Sequence, residues 1–181
     1  MGIGGSEVQV QSPGSIELSA RVAAYLTPEQ NEAGEIIANI GILNRPFWHL
    51  EKSRIGGSRK VSVELVVNGY PVEAREIEAD GQIRPVSFEY LLERSSWVAL
   101  RIYPSVHTNP IYVLVEDKPI RASKRSAQWC RAGVDKCWAM KSSAIRETEI
   151  EAAREAYDFA RQAYDQIAEV AFDDIPPTTR R

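Results

Sequence analysis

The clearest structural signal in the sequence lies in residues 59–81, RKVSVELVVNGYPVEAREIEADG. Apolar residues occupy every second position up to an Asn68-Gly69 pair, and a second run follows that pair. Alternation with a period of two is typical of a strand with one buried face. Both residues of a two-residue hairpin turn adopt positive φ angles, which asparagine and glycine tolerate best. The segment therefore predicts a β-hairpin that turns at Asn68-Gly69.

Short apolar or alternating runs continue on both sides of this hairpin. In the second run of the chain, Ile16, Leu18, Ala20 and Val22 fall on one face. Turns separate the runs, and no helix lies between them, which predicts an antiparallel β-sandwich of about seven or eight strands over residues 1–120. The runs that we interpret as strands outside the hairpin cover residues 7–11, 15–26, 35–43, 85–93, 95–104 and 111–119.

After Arg121 the apolar period changes from two residues to about 3.6, the period of an α-helix. A polar link at residues 142–147 separates two such stretches and favours an antiparallel pair. We therefore predict an α+β fold in which a helical hairpin at residues 121–172 follows the sandwich, with a frayed tail at residues 173–181. The first stripe is Cys130, Val134, Cys137, Trp138 and Lys141, and the second is Ile150, Ala153, Tyr157, Ala160, Tyr164, Ile167 and Ala171.

The composition is that of an ordinary globular protein, with 181 residues, 44% hydrophobic and 26% charged residues and a formal net charge of -3. This balance gives no overall attraction to nucleic acid or to a membrane surface. No apolar run approaches the roughly 20 residues of a membrane span, and no secretory signal is visible, so we expect a soluble chain. Cys130 and Cys137 would lie about 10 Å apart on a helix, which is too far for a disulfide.

The sequence supplies few groups for catalysis. It contains two histidines, His49 and His107, and neither a His-x-His nor a His-Glu-x-x-His pattern. A catalytic metal needs several converging ligands, so we expect no metal or other cofactor. A nucleophile pair of Cys130 and His107 is disfavoured because the cysteine falls on the apolar helix stripe, where burial blunts thiol reactivity. We therefore expect no catalytic residues and no enzyme activity from this chain on its own.

Two stretches carry candidate binding residues. A turn between two predicted strands carries Tyr103, His107 and Asn109, and polar loop residues on a rigid sheet are where binding usually occurs. Trp48 and His49 lie in a second stretch, RPFWHLEKSR, where the aromatic residues are otherwise typical of a core cap. A lone loop histidine is also typical of an ordinary hydrogen-bonding turn. The predicted ligand-facing set is Trp48, His49, Tyr103, His107 and Asn109.

A basic cluster marks the start of the first predicted helix. Arg121, Lys124, Arg125 and Arg131 lie in one short stretch, and cations at a helix N-terminus oppose the helix dipole. Three interpretations stay open: a solvated face, a surface that docks another protein domain, or a site for phosphate or nucleic acid. We predict that the cluster forms part of a surface that docks another protein domain. We predict no nucleic-acid or membrane partner.

Five ordered segments carry a resemblance to a known family: residues 47–69, 93–115, 118–130, 134–138 and 155–167. Together they resemble the C-terminal region of the carbaryl-hydrolase-like metallohydrolases (CehA/McbA type). In that family a preceding domain of the polymerase-and-histidinol-phosphatase kind holds the metal, and nothing in this chain matches its motifs. The resemblance implies a non-catalytic accessory domain that acts beside a catalytic metallohydrolase domain, in cis or in trans. The alternative is a free-standing binding protein for a sugar, peptide or other small ligand.

Overall fold

A computed structural model describes residues 5–29, 32, 36, 39–44, 58–103 and 105–172. The chain divides into two compact units, one ending at Lys118 and the other starting at Pro119. The first unit contains the strands, and the second contains two long helices.

The strands form two sheets, and the α+β architecture predicted from the sequence is confirmed. The larger sheet has the order β1-β8-β6-β3-β4 with β7 paired to β6, and the smaller sheet pairs β2 with β5. All described pairings are antiparallel except that of β1 with β8, which is parallel and makes the larger sheet mixed. The strands are β1 Glu7–Val10, β2 Gly14–Val22, β3 Lys60–Val67, β4 Tyr70–Glu78, β5 Arg84–Leu92, β6 Ser96–Ile102, β7 Val106–His107 and β8 Ile111–Val115.

The predicted hairpin is confirmed at β3 and β4. Asn68 and Gly69 form its turn with φ angles of 51° and 96°. The Asn68 side chain also reaches the next strand of the sheet: its Nδ2 donates to Ser96 Oγ at 3.0 Å, and its Oδ1 accepts from the Trp97 backbone N–H at 3.1 Å. The turn therefore holds the start of β6 in register.

One hydrophobic cluster fills the space between the two sheets. Phe88 of β5 is the largest side chain at its centre, and it packs with Val63 and Leu65 of β3 and Val98 of β6. The predicted apolar face of β2 contributes to the same cluster, with Leu18 buried in it. Each large side chain buried in this way contributes about 1.5–3 kcal/mol to the free energy of unfolding.

The strand predicted at residues 35–43 is wrong wherever the structure describes this segment. Ile36 and Asn39 are helical, and Ile42–Asn44 forms a short 3-10 helix. Ile36 and Leu43 are also exposed, not buried. A short apolar run fits either period, and here a spacing of four between Ile36 and Ile40 closes a helical hydrogen bond of 3.1 Å.

The second unit is a pair of helices, as predicted. Helix α1 spans Lys124–Lys141 and α2 spans Ile150–Val170, with 3-10 turns at Ser142–Ala144 and Glu147–Glu149 between them. The helices are antiparallel, because ion pairs join Arg131 to Asp165 and Asp135 to Arg161. Within the described residues, no helix has both the length and the apolar character that a membrane crossing requires.

Candidate functional site

The larger sheet carries a groove on its outer face, the face opposite the core. Val98, Leu100 and Ile102 of β6 belong to the core, so the residues that alternate with them point outward. The groove encloses about 460 Å³ over strands β3, β6 and β8. The described residues that line it are Val66, Gly69, Trp97, Ala99, Arg101, His107, Thr108, Pro110 and Tyr112.

The floor of the groove is apolar. Sheet register places Val66 directly opposite Ala99, and both are nearly covered, with 5% and 8% of their surface exposed. The same register places Trp97 opposite Tyr112, so two aromatic side chains lie side by side at one end. Aromatic pairs of this kind offer a large apolar surface to a flat group. This end of the groove therefore suits an aromatic or other apolar part of a ligand.

Arg101 is the cation of the groove. Its Nε donates to Glu64 Oε2 at 2.5 Å, and its guanidinium lies 5.4 Å from the centre of the Tyr103 ring. These contacts hold the planar guanidinium in one orientation. Among the described residues, the two terminal nitrogens of Arg101 have no hydrogen-bond acceptor, so they are available to a carboxylate or another anion.

Strand β7 forms the wall beside Arg101. His107 is the register partner of Arg101. Thr108 is tied to β6 by two hydrogen bonds: its N–H donates to the Leu100 carbonyl at 2.9 Å, and its Oγ1 accepts from the Leu100 N–H at 3.1 Å. His107 Nδ1 lies 3.1 Å from the Thr108 carbonyl, which only accepts, so Nδ1 carries a proton. In the neutral ring, Nε2 is then an acceptor for a ligand donor.

A second, smaller cavity of about 260 Å³ lies beside the first. Arg101, His107 and Thr108 line both cavities, and Ala20, Arg21 and Val22 of β2 line the second one. The wall formed by β7 therefore has open space on two sides. The lining of the second cavity also includes Val63, Leu100 and Ile102, which belong to the core, so this cavity extends on the core side of the sheet.

The structure brings together part of the predicted ligand-facing set. His107 lines the groove, and Tyr103 is exposed against Arg101. Asn109 is exposed and lies beside Gly5, not in the groove lining. Trp48 and His49 lie outside the described residues.

Sequence reasoning missed the groove residues Trp97, Arg101, Thr108 and Tyr112. The signal that marks the first two is the alternation in SWVALRI, residues 96–102, where Trp97, Ala99 and Arg101 share one face. Once Val98, Leu100 and Ile102 are assigned to the core, the alternation predicts that Trp97, Ala99 and Arg101 face outward. Thr108 and Tyr112 needed the pairing of β6 with β7 and β8, which no local pattern shows.

The four residues of the predicted basic cluster differ in their contacts and exposure. Arg131 forms ion pairs with Asp135 and Asp165 inside the helical unit, and Arg121 donates to the Ile120 carbonyl at 2.9 Å. Lys124 is half-buried and Arg125 is exposed at the start of α1. Arg125 is therefore the member of the cluster that is most open to a partner.

An ion-pair network joins the two helices. Arg161, followed by Arg131, holds the pKa of the Asp135 carboxyl below its ordinary value, because both guanidinium groups donate hydrogen bonds to the charged form. The same contacts raise the pKa of both arginines. Nearby, Cys137 Sγ and Tyr157 Oη lie 3.1 Å apart, and this hydrogen bond, together with burial, raises the pKa of the tyrosine. These shifts come from helix pairing and mark no separate site.

Cys130 and Cys137 are both free thiols, in agreement with the predicted lack of a disulfide between them. Within the described part of the chain, no group of three or more histidine, cysteine, aspartate or glutamate side chains is placed to hold a metal ion.

No family model, no curated protein and no solved structure matches this chain. The resemblance to the tail of carbaryl-hydrolase-like metallohydrolases therefore stays a prediction from the sequence.

Proposed function

We propose that this chain is a non-catalytic binding module, and that the groove on the outer face of its larger sheet is the binding site. The observation that carries the proposal is the pairing of an apolar floor with a fixed cation. Val66 and Ala99 form the floor, Trp97 and Tyr112 flank it, and Arg101 lies at the other end. Binding sites are typically concave and mostly apolar, with a few placed polar groups that fix the orientation of the ligand.

The ligand class follows from these groups. An aromatic or planar apolar part lies against Trp97 and Tyr112, and a carboxylate accepts hydrogen bonds from the terminal nitrogens of Arg101. Arginine is suited to this role because its planar fork matches both oxygens of a carboxylate. The Glu64 ion pair and the Tyr103 ring orient that fork before the ligand arrives, which reduces the entropy cost of binding.

The binding proposal is compatible with the accessory role that the family resemblance implies. In that role the module acts beside a catalytic metallohydrolase domain, in cis or in trans, and supplies binding instead of chemistry. A small aromatic carboxylate held in the groove would then be a substrate, a product or a regulator of that domain. The exposed Arg125 is the best-placed member of the basic cluster to contribute to such a docking surface.

The experiment that tests the location of the site is a titration of the isotope-labelled chain with 3-phenylpropionate, followed by backbone amide NMR shifts. We expect the largest shifts at Ala99, Arg101 and Thr108, whose backbones form the groove. 3-Phenylpropionamide is the matched neutral compound, and we expect it to shift the same amides only at higher concentration. Shifts spread evenly over the surface, or the absence of any shift, would overturn the proposal.

A further inference from the structure

The helical unit leaves one of its two apolar sides uncovered. Its inner seam is well packed: the rings of Trp138 and Tyr157 meet with their centroids 5.0 Å apart, and Ala127 is buried. By contrast, Trp129 of α1 and Phe159 of α2 are 76% and 74% exposed. Met140 and Val170 are exposed as well. Large apolar side chains that gather on one exposed surface are typical of an interaction site.

These exposed residues belong to a second heptad series on each helix. In α2 the inner series includes Ala153, Tyr157, Ala160 and Tyr164, and the second series runs one residue earlier at every step. The same offset holds in α1, where the second series precedes Cys130, Val134, Cys137 and Lys141. The second series are Trp129, Gly133, Lys136 and Met140 in α1, and Ala152, Ala156, Phe159, Ala163, Gln166 and Val170 in α2.

An offset of one residue rotates a helix position by about 100°, so each helix has two seams roughly at right angles. Because the helices are antiparallel and the offset has the same sign in both, the two outer seams fall on the same broad side of the hairpin. Two seams about 90° apart are what a helix needs inside a four-helix bundle, where each helix has two neighbours. The hairpin is therefore shaped like one half of such a bundle.

We infer that this side of the hairpin pairs with a second copy of the chain, about a two-fold axis that runs along the helices. This symmetry lays α1 of one copy on α2 of the other in the antiparallel sense. A rotation about this axis leaves the height of each residue along the helices unchanged, so Cys137 of one copy is at the height of Tyr157 of the other, as it is within the hairpin. Met140 then lies level with the gap between Ala152 and Ala156 of the second copy, and Trp129 lies level with the gap between its Ala163 and Gln166. Each of these large side chains therefore lies beside at least one alanine, as bundle packing requires.

Charge favours this arrangement over the alternative in which like helices meet. The outer side of α1 carries the exposed cations Arg125 and Lys136. The outer side of α2 carries the exposed Glu155 and no cation in its second series. Pairing α1 with α2 of the second copy brings Lys136 of one near Glu155 of the other, on both edges of the interface. Pairing α1 with α1 would instead oppose two basic edges.

Sedimentation velocity of the full chain over a wide concentration range tests this inference. We expect a reversible monomer–dimer equilibrium. Phe159→Lys should weaken the dimer by about tenfold or more because it places a charge in the apolar seam. Leu91→Lys, at an exposed leucine of β5, is the matched control and should leave the equilibrium unchanged. Circular dichroism of both variants checks that the helices persist.

The charge pair gives an independent test. Lys136→Glu should weaken the dimer, and adding Glu155→Lys to it should restore much of the lost affinity. A full chain that stays monomeric at the highest attainable concentration would overturn the inference. So would a dimer that Phe159→Lys and Leu91→Lys affect equally, or a charge swap that weakens association further. None of these outcomes depends on whether the groove of the β-sandwich binds a ligand.

Discussion

Asn68 accepts a hydrogen bond from the backbone N–H of Trp97 through its Oδ1, over 3.1 Å. The residue that turns the central hairpin thus also positions the strand that carries the groove. Gly69, the second residue of the turn, lies against the same tryptophan: a Cβ there would be 3.9 Å from the Trp97 ring. The contacts that Asn68 and Gly69 make with Trp97 therefore stabilise the hairpin turn and also position one end of the candidate site.

Substitution at Gly69 tests this turn. Gly69→Ala should lower the free energy of unfolding by about 1–3 kcal/mol, because the φ angle of 96° is strained for any residue with a Cβ. Asn68→Gly is the matched variant: it tolerates the turn conformation but loses the hydrogen bonds to Ser96 and Trp97. We expect it to cost about 1 kcal/mol. Urea unfolding measures both, and a neutral Gly69→Ala would show that the turn is not formed as described.

Substitution at Phe88 tests whether the two sheets share one core. Phe88→Ala should cost about 3–5 kcal/mol, since it leaves a cavity at the centre of the cluster. Leu91→Ala changes an exposed side chain on the same strand and should stay within about 0.5 kcal/mol of the wild type. Urea unfolding measures both variants, and a loss for Leu91→Ala that equals or exceeds the loss for Phe88→Ala would contradict the assigned core face of β5.

The sequence predicted the elements whose local pattern agrees with their final environment. The Asn68-Gly69 hairpin and the two helical stripes combine the right period with the right turn chemistry. The segment around Ile36 and Ile40 failed because its apolar spacing suits either a strand or a helical turn. The local sequence pattern of this segment allows both structures, and contacts with the rest of the fold select the helical one.

The groove was harder to predict because its parts come from four strands, β3, β6, β7 and β8, and β3 is distant from the other three in sequence. His107 was found as a loop histidine, whereas its partner Arg101 looked like an ordinary outward residue of a strand. What joins them is the register between β6 and β7. The parallel pairing of β1 with β8 was equally hidden, since no local signal states which edge strands meet.

Acid pH should destabilise the chain through two aspartates whose pKa lies below its ordinary value. Arg84, followed by the Gln82 backbone N–H, stabilises the charged form of Asp80 and lowers its pKa, and Arg161 with Arg131 does the same for Asp135. Because the unfolded chain binds these protons more tightly, the stabilisation is complete above about pH 4 and is lost as the pH falls below it.

Thermal unfolding between neutral pH and strong acid measures this loss. Asp135→Asn should lower the melting temperature at neutral pH and flatten its fall below about pH 4. Glu17→Gln, at an exposed carboxylate of β2, is the control and should leave the profile unchanged. A wild-type melting temperature that rises on acidification would contradict the assigned direction of both shifts.

The chain on its own should not hydrolyse substrates of the metallohydrolase class. Ester, carbamate and phosphoester substrates, each tested with zinc, manganese and magnesium, should show no turnover above the rate with metal alone. This expectation rests on the sequence, which contains two histidines and neither a His-x-His nor a His-Glu-x-x-His pattern. Metal-dependent turnover that survives repurification and is abolished by a chelator would contradict the proposed accessory role.

The most direct test of the binding groove is the calorimetric affinity of two ligands for two proteins. We expect 3-phenylpropionate to bind the wild type about tenfold or more tightly than 3-phenylpropionamide, since a charge-assisted hydrogen-bond pair contributes about 1.5–3 kcal/mol. In Arg101→Gln this preference should vanish while the amide affinity stays nearly the same. A preference for the carboxylate that persists without Arg101, or equal binding of both ligands to the wild type, would show that Arg101 does not hold a carboxylate in the groove.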